Sequence, residues 1–413
     1  MAIAILGGGI LGCCAALELA DRGFEATVFE RNATLVSEAS LYNEGKLHLG
    51  FVYAVDATFR TAERMIRGAV QFMDILARWI PSETLRLLPA RPFDYVVHRE
   101  TMISVPQIEH HFARVAEAVQ ALAVPASAFL PFDSLRAPYR RMSAAEVAAR
   151  YDHSRVLASF ETFETAVDTW TIATALRRAV ASHPSIEIRA STRVVKALDR
   201  TDGRFDVSCV GESDERVGPF DAVVNALWTN RRAIDQRYGV VGSGASYTRH
   251  KLGVNFLPRH VPEAVPSFTI MLGPFGDVVV YQSGRVYLSW YPDCMIGTAM
   301  GSEEIDWSAV LAGVDVDDVC RRSVRAMAAV CPALDLFRAV EPAAVLVNGG
   351  SIFALGESDI DDPVSRLHER VDSGPEGRDR YLSVDTAKFT LAPATAVAVA
   401  NRISTMLGTR GRT

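Results

Sequence analysis

Residues 2–30 read AIAILGGGILGCCAALELADRGFEATVFE, and the fold follows from their order. Ala2 to Leu6 is a short apolar run, the pattern of a buried strand. Gly7-Gly8-Gly9-Ile10-Leu11-Gly12 follows and satisfies G-x-G-x-x-G. Cys13 to Arg22 then has helical periodicity, with Leu11, Ala15 and Leu19 on one face. Gly23 suits the end of that helix. Ala26 to Phe29 is a second strand, and it runs into Glu30, eighteen positions past Gly12. Each part has a physical task. Gly7 makes the tight strand-to-helix turn, Gly9 lets backbone approach a pyrophosphate, and Gly12 lets helix and strand pack closely. The helix N-terminus offers free N–H groups to phosphate. Glu30 is placed to accept hydrogen bonds from a ribose diol, which disfavours a 2′-phosphate. The stretch therefore predicts a βαβ unit that binds FAD or NAD rather than NADP.

The next segment separates the two. Ser37 to Tyr53 is a polar, glycine-containing loop, SEASLYNEGKLHLGFVY, where a plain NAD domain would continue into another βα unit. A long helical pattern follows from Asp56 to Trp79. Further on, Ala166-Val167-Asp168-Thr169 precedes a helix (Trp170 to Ser182), then Ile186-Glu187-Ile188 and Thr192-Arg193-Val194. Phe220 to Trp228 reads FDAVVNALW. Tyr381 to Thr390 reads YLSVDTAKFT, and an apolar helix follows from Pro393 to Met406. Together these stretches resemble the D-amino-acid oxidase and glycerol-3-phosphate dehydrogenase superfamily of FAD oxidoreductases, over essentially the whole chain. One departure lies at Ala387, where the family often carries a second glycine before the lysine.

The resemblance implies an α/β protein: a Rossmann-like FAD-binding domain of the glutathione-reductase type, joined to an α+β substrate domain with an antiparallel sheet. The expected division gives 1–80, 145–230 and 340–413 to the FAD domain, and 81–144 and 231–339 to the substrate domain. It also implies the cofactor contacts. Beyond Gly7, Gly9, Gly12 and Glu30, these are Arg31, Ser40, Asn43, Gly45, Lys46 and Leu47 from the early loop. Val194 offers its backbone to the adenine, Ala226 and Trp228 follow the middle strand, and Lys388, Phe389 and Thr390 come from the C-terminal loop. Val278 to Tyr281 and Arg285 to Tyr291 flank Ser283-Gly284, a hairpin signal suited to a sheet roofing the flavin. Gly239 to Gly244 is glycine-rich but lacks a strand-turn-helix context, and reads as a loop.

Bulk properties agree with an enzyme of this kind. The 413 residues are 49% hydrophobic and 22% charged, enough for a large core without disulfides. The net charge of -6 argues against a dedicated nucleic-acid binder. Six cysteines show neither metal-ligand nor disulfide-framework spacing, so no metal is expected and a reducing compartment is. No basic region precedes the apolar start, and no stretch reaches the ~18 uncharged apolar residues of a membrane span. A soluble cytoplasmic protein acting on a small-molecule substrate is expected.

In such enzymes the flavin carries the redox chemistry and the protein orients substrate and moves protons. His48, at the end of the early loop, is a candidate to act as base, to hydrogen-bond the ring or to tether FAD covalently; a loop-pinning role is the alternative. Lys46 and Lys388 are candidates for a cation beside the ring, or for a lysine on the pyrophosphate or in solvent. Tyr291, with Tyr53, Tyr281 and Trp290, is a candidate pocket wall. Arg366, His368 and Arg370 form a basic cluster suited to a substrate carboxylate or phosphate, or to salt bridges with Asp361, Asp362 and Glu369. Three functions fit: oxidation of a C–N bond in an amine or amino acid, first; oxidation of a C–O bond in a 2-hydroxy acid, polyol or polyol phosphate; or a biosynthetic redox subunit.

Overall fold

The strands and helix expected from residues 2–30 are all present in the computed structural model, which describes residues 1–122, 138–211, 215–240, 244–360 and 362–408. Strand Ala2–Leu6, helix Ile10–Asp21 and strand Glu25–Phe29 follow one another, and the strands pair in parallel with Ala2 opposite Glu25. Nearly every residue of the helix is buried, including Cys13 and Cys14. A helix apolar on all sides needs cover on all sides. It lies against the sheet and packs on Ala392–Met406, the last helix.

The parallel sheet runs from Ile186–Arg189 through Glu25–Phe29, Ala2–Leu6 and Ala222–Asn225 to Tyr381–Asp385, with Gly374–Arg378 added antiparallel at the edge. Ala2–Leu6 thus lies between the next strand of the chain on one side and a strand from far along the chain on the other. That is a topological switch point, and open α/β sheets bind ligands beyond the carboxyl ends of strands there. A separate antiparallel meander, Arg193–Asp199, Phe205–Val210 and Glu215–Phe220, stands beside it. Val194 belongs to this meander.

A second sheet contains nine strands among the described residues. It is built around Ser246–Phe256, which pairs with Met295–Met300 and Val286–Trp290 on one side and Val345–Leu355 on the other. The hairpin expected around Ser283-Gly284 joins Gly276–Val280 to Val286–Trp290, with Gly284 at φ +82°. One pair, Ser267–Met271 with Phe93–His98, is parallel, so the sheet is mixed rather than purely antiparallel.

Tyr139–Arg141 and Val156–Thr162 extend the second sheet next to Phe93–His98, and Val345–Leu355 belongs to it as well. Strands on both sides of the expected boundaries near 145 and 340 therefore share one sheet. An alternating run shows which face of a strand is apolar, not which sheet it joins. Beyond Val345–Leu355 come a short 3₁₀ turn at Arg366–His368 and the edge strand Gly374–Arg378. Gly239 closes helix Arg231–Tyr238 at φ +91°; positions 241–243, 361 and 409–413 lie outside the described residues. No helix among them is long and apolar enough to cross a membrane.

Candidate active site

One cavity, about 220 Å³, lies over the carboxyl ends of Ala2–Leu6 and Ala222–Asn225. Its two ends differ in chemistry, and the glycine turn lies between them.

The three glycines act differently. Gly7 has φ +101°, and a Cβ there would sit 2.8 Å from the Ala226 carbonyl oxygen. A Cβ on Gly12 would be 1.9 Å from the Gly7 carbonyl oxygen, so this position is closed by packing. Gly9 is different: its backbone is ordinary (φ -69°) and it lines the cavity. The nearest atom to an added Cβ is Ser40 Oγ at 3.2 Å. Ser40 Oγ in turn accepts the Ile10 N–H at 3.1 Å, tying the early loop to the helix N-terminus. Glu30 lines the same end, its carboxylate accepting the N–H groups of Gly8 and Asn32 at 2.9 Å each. Burial raises its pKa and those two amides oppose the rise. Two oxygens held this way keep lone pairs for a diol. Glu30→Ala should weaken FAD retention roughly tenfold or more, one charge-assisted hydrogen bond's worth, with an unchanged spectrum for the fraction still bound. Equilibrium dialysis against free FAD measures it; an equal affinity would remove Glu30 from the ribose end.

At the opposite end, two segments far apart in sequence meet. Thr390 Oγ1 donates to the Lys46 carbonyl at 2.9 Å and accepts the His48 N–H at 3.1 Å. His48, Lys388 and Phe389 line the cavity there. Ala387 has φ +57° and Trp228 has φ +53°, conformations that side chains rarely adopt. Glycine takes that conformation freely, which gives the departure at Ala387 a backbone counterpart. The Trp228 indole is fixed by its N–H to the Ser351 carbonyl, 2.7 Å.

The Lys388 ammonium makes no hydrogen bond or ion pair with any described residue. Burial and the Arg370 charge push its pKa down to about 7, against the pull of Glu44. Arg370 is 7% exposed and lines a second, smaller pocket that adjoins the first at Ala387; among the described residues its guanidinium donates only to the Glu369 carbonyl. Burial and Arg249 lower it to about 10. Arg249 is buried too, 3.6 Å from Asp359, with its Nε unpaired. The buried hydroxyl of Tyr53, whose ring stands edge-on to His48, also has no partner. This corner holds more positive charge than its own carboxylates balance.

Of the other expected residues, Arg31, Asn43, Lys46, Val194 and Ala226 line the same cavity, and Gly45, Leu47, Tyr291 and Arg366 do not. Lys46 Nζ is turned away to Thr269 and to Asp277 (3.1 Å), over the Phe93 ring. Burial alone would raise Asp277, but Lys46 and Lys251 outweigh it and hold it low. Leu47 is core, Gly45 (φ +66°) is closed in by the Val167 carbonyl, and Asn43 bonds its own loop at Ala39 and Gly45. Arg31 pairs with Glu38 at 2.7 Å. Tyr291 opens a short helical turn and donates to Asp359 at 2.8 Å, away from the large cavity. Arg366 is exposed and paired to Asp372, and His368 bonds the Asp362 carbonyl; of that cluster only Arg370 turns inward. Arg249 and Glu164 were not singled out from sequence. Arg249 lies in strand Ser246–Phe256 and Glu164 between two strands, and the importance of each appears only through its partner.

A switch-point cavity with a glycine turn, a held acid at one end and a cationic corner at the other defines a dinucleotide-dependent oxidoreductase. A family model described as FAD dependent oxidoreductase (DAO) matches residues 2–402, and the chain belongs to that family. Its fold is shared with glycine oxidase from Geobacillus kaustophilus (TM-score 0.64, 15% identity, covering 98% of this chain and 94% of that one). L-alpha-glycerophosphate oxidase from Mycoplasma pneumoniae is similar (TM-score 0.64, 13% identity, 100% and 96% covered). So is L-proline dehydrogenase from P. horikoshii (TM-score 0.64, 16% identity, 99% and 94% covered). Among curated proteins, the tRNA 5-methylaminomethyl-2-thiouridine biosynthesis bifunctional protein MnmC of Burkholderia lata is 25% identical over 200 residues, 48% of this chain. That of Burkholderia vietnamiensis is 30% identical over 135 residues, 32% of this chain. The matches span only 27% and 19% of those relatives' length. The cofactor is FAD, and the residues present fit it: the Gly9 position opens into the cavity where a side chain would intrude, and Glu30 is held at its rim.

Proposed function

We propose that this FAD-dependent oxidoreductase oxidises the C–N bond of an amine bearing a carboxylate, an amino acid or an N-substituted one. The observation that carries the reading is Arg370, a buried guanidinium with no carboxylate partner among the described residues, beside the unpaired Tyr53 hydroxyl and Lys388. An uncompensated buried cation costs several kcal/mol, and an anionic ligand relieves it. Arg370 and Lys388 hold the carboxylate, with Arg249 steadied behind them by Asp359. His48 faces the cavity as the proton acceptor. Loss of a hydride from the carbon and a proton from the nitrogen turns the amine into an imine. FAD, when bound, supplies the hydride acceptor. The family's relatives named for glycine, L-proline and a methylaminomethyl group support C–N chemistry. The domain assignment, with the first sheet as a glutathione-reductase-type FAD module and the second roofing the substrate, belongs to the same reading.

The test is an anaerobic screen of amino acids, N-alkyl amino acids, simple amines and 2-hydroxy acids, scored by loss of flavin absorbance. Bleaching by carboxylated amines and not by hydroxy acids is the expected result; bleaching by hydroxy acids or polyol phosphates alone would replace it. With a substrate in hand, Arg370→Met should raise KM roughly tenfold to a hundredfold, the range of one charge-assisted hydrogen bond. An unmoved KM would take Arg370 out of the substrate site.

A further inference from the structure

Glu164 is 0% exposed, on the step from strand Val156–Thr162 into the short strand Thr165–Ala166. That short strand pairs antiparallel with Lys46–Leu47, Leu47 opposite Thr165, so the ladder brings residue 164 against residue 48. The carboxylate is held on both oxygens. Oε2 accepts the Leu49 N–H at 2.6 Å, and Oε1 accepts the Tyr95 hydroxyl. Oε1 also lies 3.7 Å from His48 Nδ1. The imidazole is fixed from the other side through its backbone, by Thr390. His48 Nδ1 is buried and has no hydrogen-bond partner. A buried ring nitrogen beside a buried carboxylate oxygen, just beyond bonding distance, is a contact left open by a small ring rotation. Such bonds are often long without substrate and tighten in the complex.

We propose that Glu164 is the positioning residue of His48: its carboxylate takes the Nδ1–H, leaves Nε2 bare toward the cavity as proton acceptor, and steadies the imidazolium formed when the substrate nitrogen gives up its proton. This rests on reading the cavity as the site of substrate oxidation. Charge makes the difference. The groups facing His48 are Tyr53 on its own loop's turn, Lys46 beside it, Lys388 from the C-terminal loop, and Glu164 with Tyr95 behind it. Burial lowers the His48 pKa, and the two lysines lower it further; Glu164 is the group that opposes them. Without it, an imidazolium would form among cations in a dry site. The carboxylate sets the tautomer as well, since the nitrogen not bonded by the orienting group is the one left to accept a proton. A glutamine could accept the Leu49 N–H on its carbonyl oxygen and donate its amide N–H to the Tyr95 hydroxyl oxygen, but it would bring no charge.

The experiment uses the FAD-loaded protein with ¹⁵N-labelled histidine. The His48 signals among the nine histidines are assigned by their loss in His48→Gln. In the unsubstituted protein, neutral His48 should be the Nδ1–H tautomer; an Nε2–H tautomer would overturn the proposal without any variant of Glu164. In Glu164→Gln, the His48 titration midpoint should fall by about 1–3 units, the usual effect of one neighbouring opposite charge. The base must be unprotonated, so the acid limb of the flavin-reduction rate should move to lower pH by the same amount, while the plateau rate drops. A midpoint that stays put in a folded Glu164→Gln protein overturns the proposal. Where Glu164→Gln does not fold, Tyr95→Phe frees one lone pair of Oε1 and should raise the midpoint; no change there overturns it equally. Failure of every amine to bleach the flavin would count against the functional reading instead, because the His48 tautomer and midpoint are measured without substrate and still decide the role of Glu164.

Discussion

Leucine in place of Gly9 is expected to give a folded protein that purifies without FAD. The backbone at Gly9 is one that any residue adopts, and an added Cβ meets only Ser40 Oγ, at a distance that a small shift relieves. Folding therefore does not require glycine here. The rest of a leucine side chain would enter the cavity beside the helix N-terminus, where the pyrophosphate needs close backbone approach. Thermal unfolding of the FAD-free variant should match that of FAD-free parent protein, while titration with FAD shows affinity lower by about a thousandfold, a loss of ~4 kcal/mol. The paired control is Gly12→Ala. Its Cβ would press on the Gly7 carbonyl at 1.9 Å, so that variant should lose stability first and FAD only in consequence. Leucine at Gly9 with full FAD affinity would mean that the pyrophosphate does not pass there.

The two glycines show why so much of this protein could be read from sequence. The opening βαβ unit is local: strand, turn, helix, strand and acid follow one another, and each residue's task is fixed by near neighbours. Glu30 and Ser40 are legible for the same reason. The convergence of His48 with Lys388 is legible one level up, because a switch-point fold brings the ends of parallel strands together wherever they fall in the chain. Legibility stops where a residue's role depends on which strand pairs with which. Glu164 reads as one acid in a polar-apolar run, and only the pairing of Lys46–Leu47 with Thr165–Ala166 gives it His48 as a neighbour. The sheet that Tyr139–Arg141, Val156–Thr162 and Val345–Leu355 join is hidden for the same cause. The cluster Arg366, His368 and Arg370 failed differently. Spacing placed the three together, but a 3₁₀ turn turns Arg366 out to Asp372 and leaves Arg370 buried. Lys46 was drawn to a carboxylate, Asp277, that lies on another sheet's hairpin and carries no signal of its own.

Lys388→Met should make the protein more stable and less active at once. A structural lysine does the opposite on removal, so the pair of effects identifies the role. Lys388 carries a pKa of about 7, through burial and the Arg370 charge, against an unfolded value near ~10.4. Between those limits the unfolded chain binds more protons than the folded one, so folding stability rises with pH across the window. The cost of the buried cation is fully present below about pH 7, where both states are charged, and vanishes above about pH 10, where both are neutral. Methionine keeps the length of the side chain and carries no charge. FAD-free Lys388→Met should therefore unfold at a higher temperature than the parent at about pH 6, by on the order of 1–3 kcal/mol in stability, and the advantage should shrink towards about pH 10. The cation that is costly in the empty site is useful in the loaded one. With substrate present, reduction of the flavin should slow roughly a hundredfold, the usual loss when one preorganised electrostatic partner is removed from an active site. Anion binding carries the same signature: in the parent it should weaken as pH rises through about 7, when the ammonium discharges, and in Lys388→Met that step should be gone. A variant that is less stable at every pH, or one that keeps both its rate and its pH step, would show that Lys388 serves the fold and not the site.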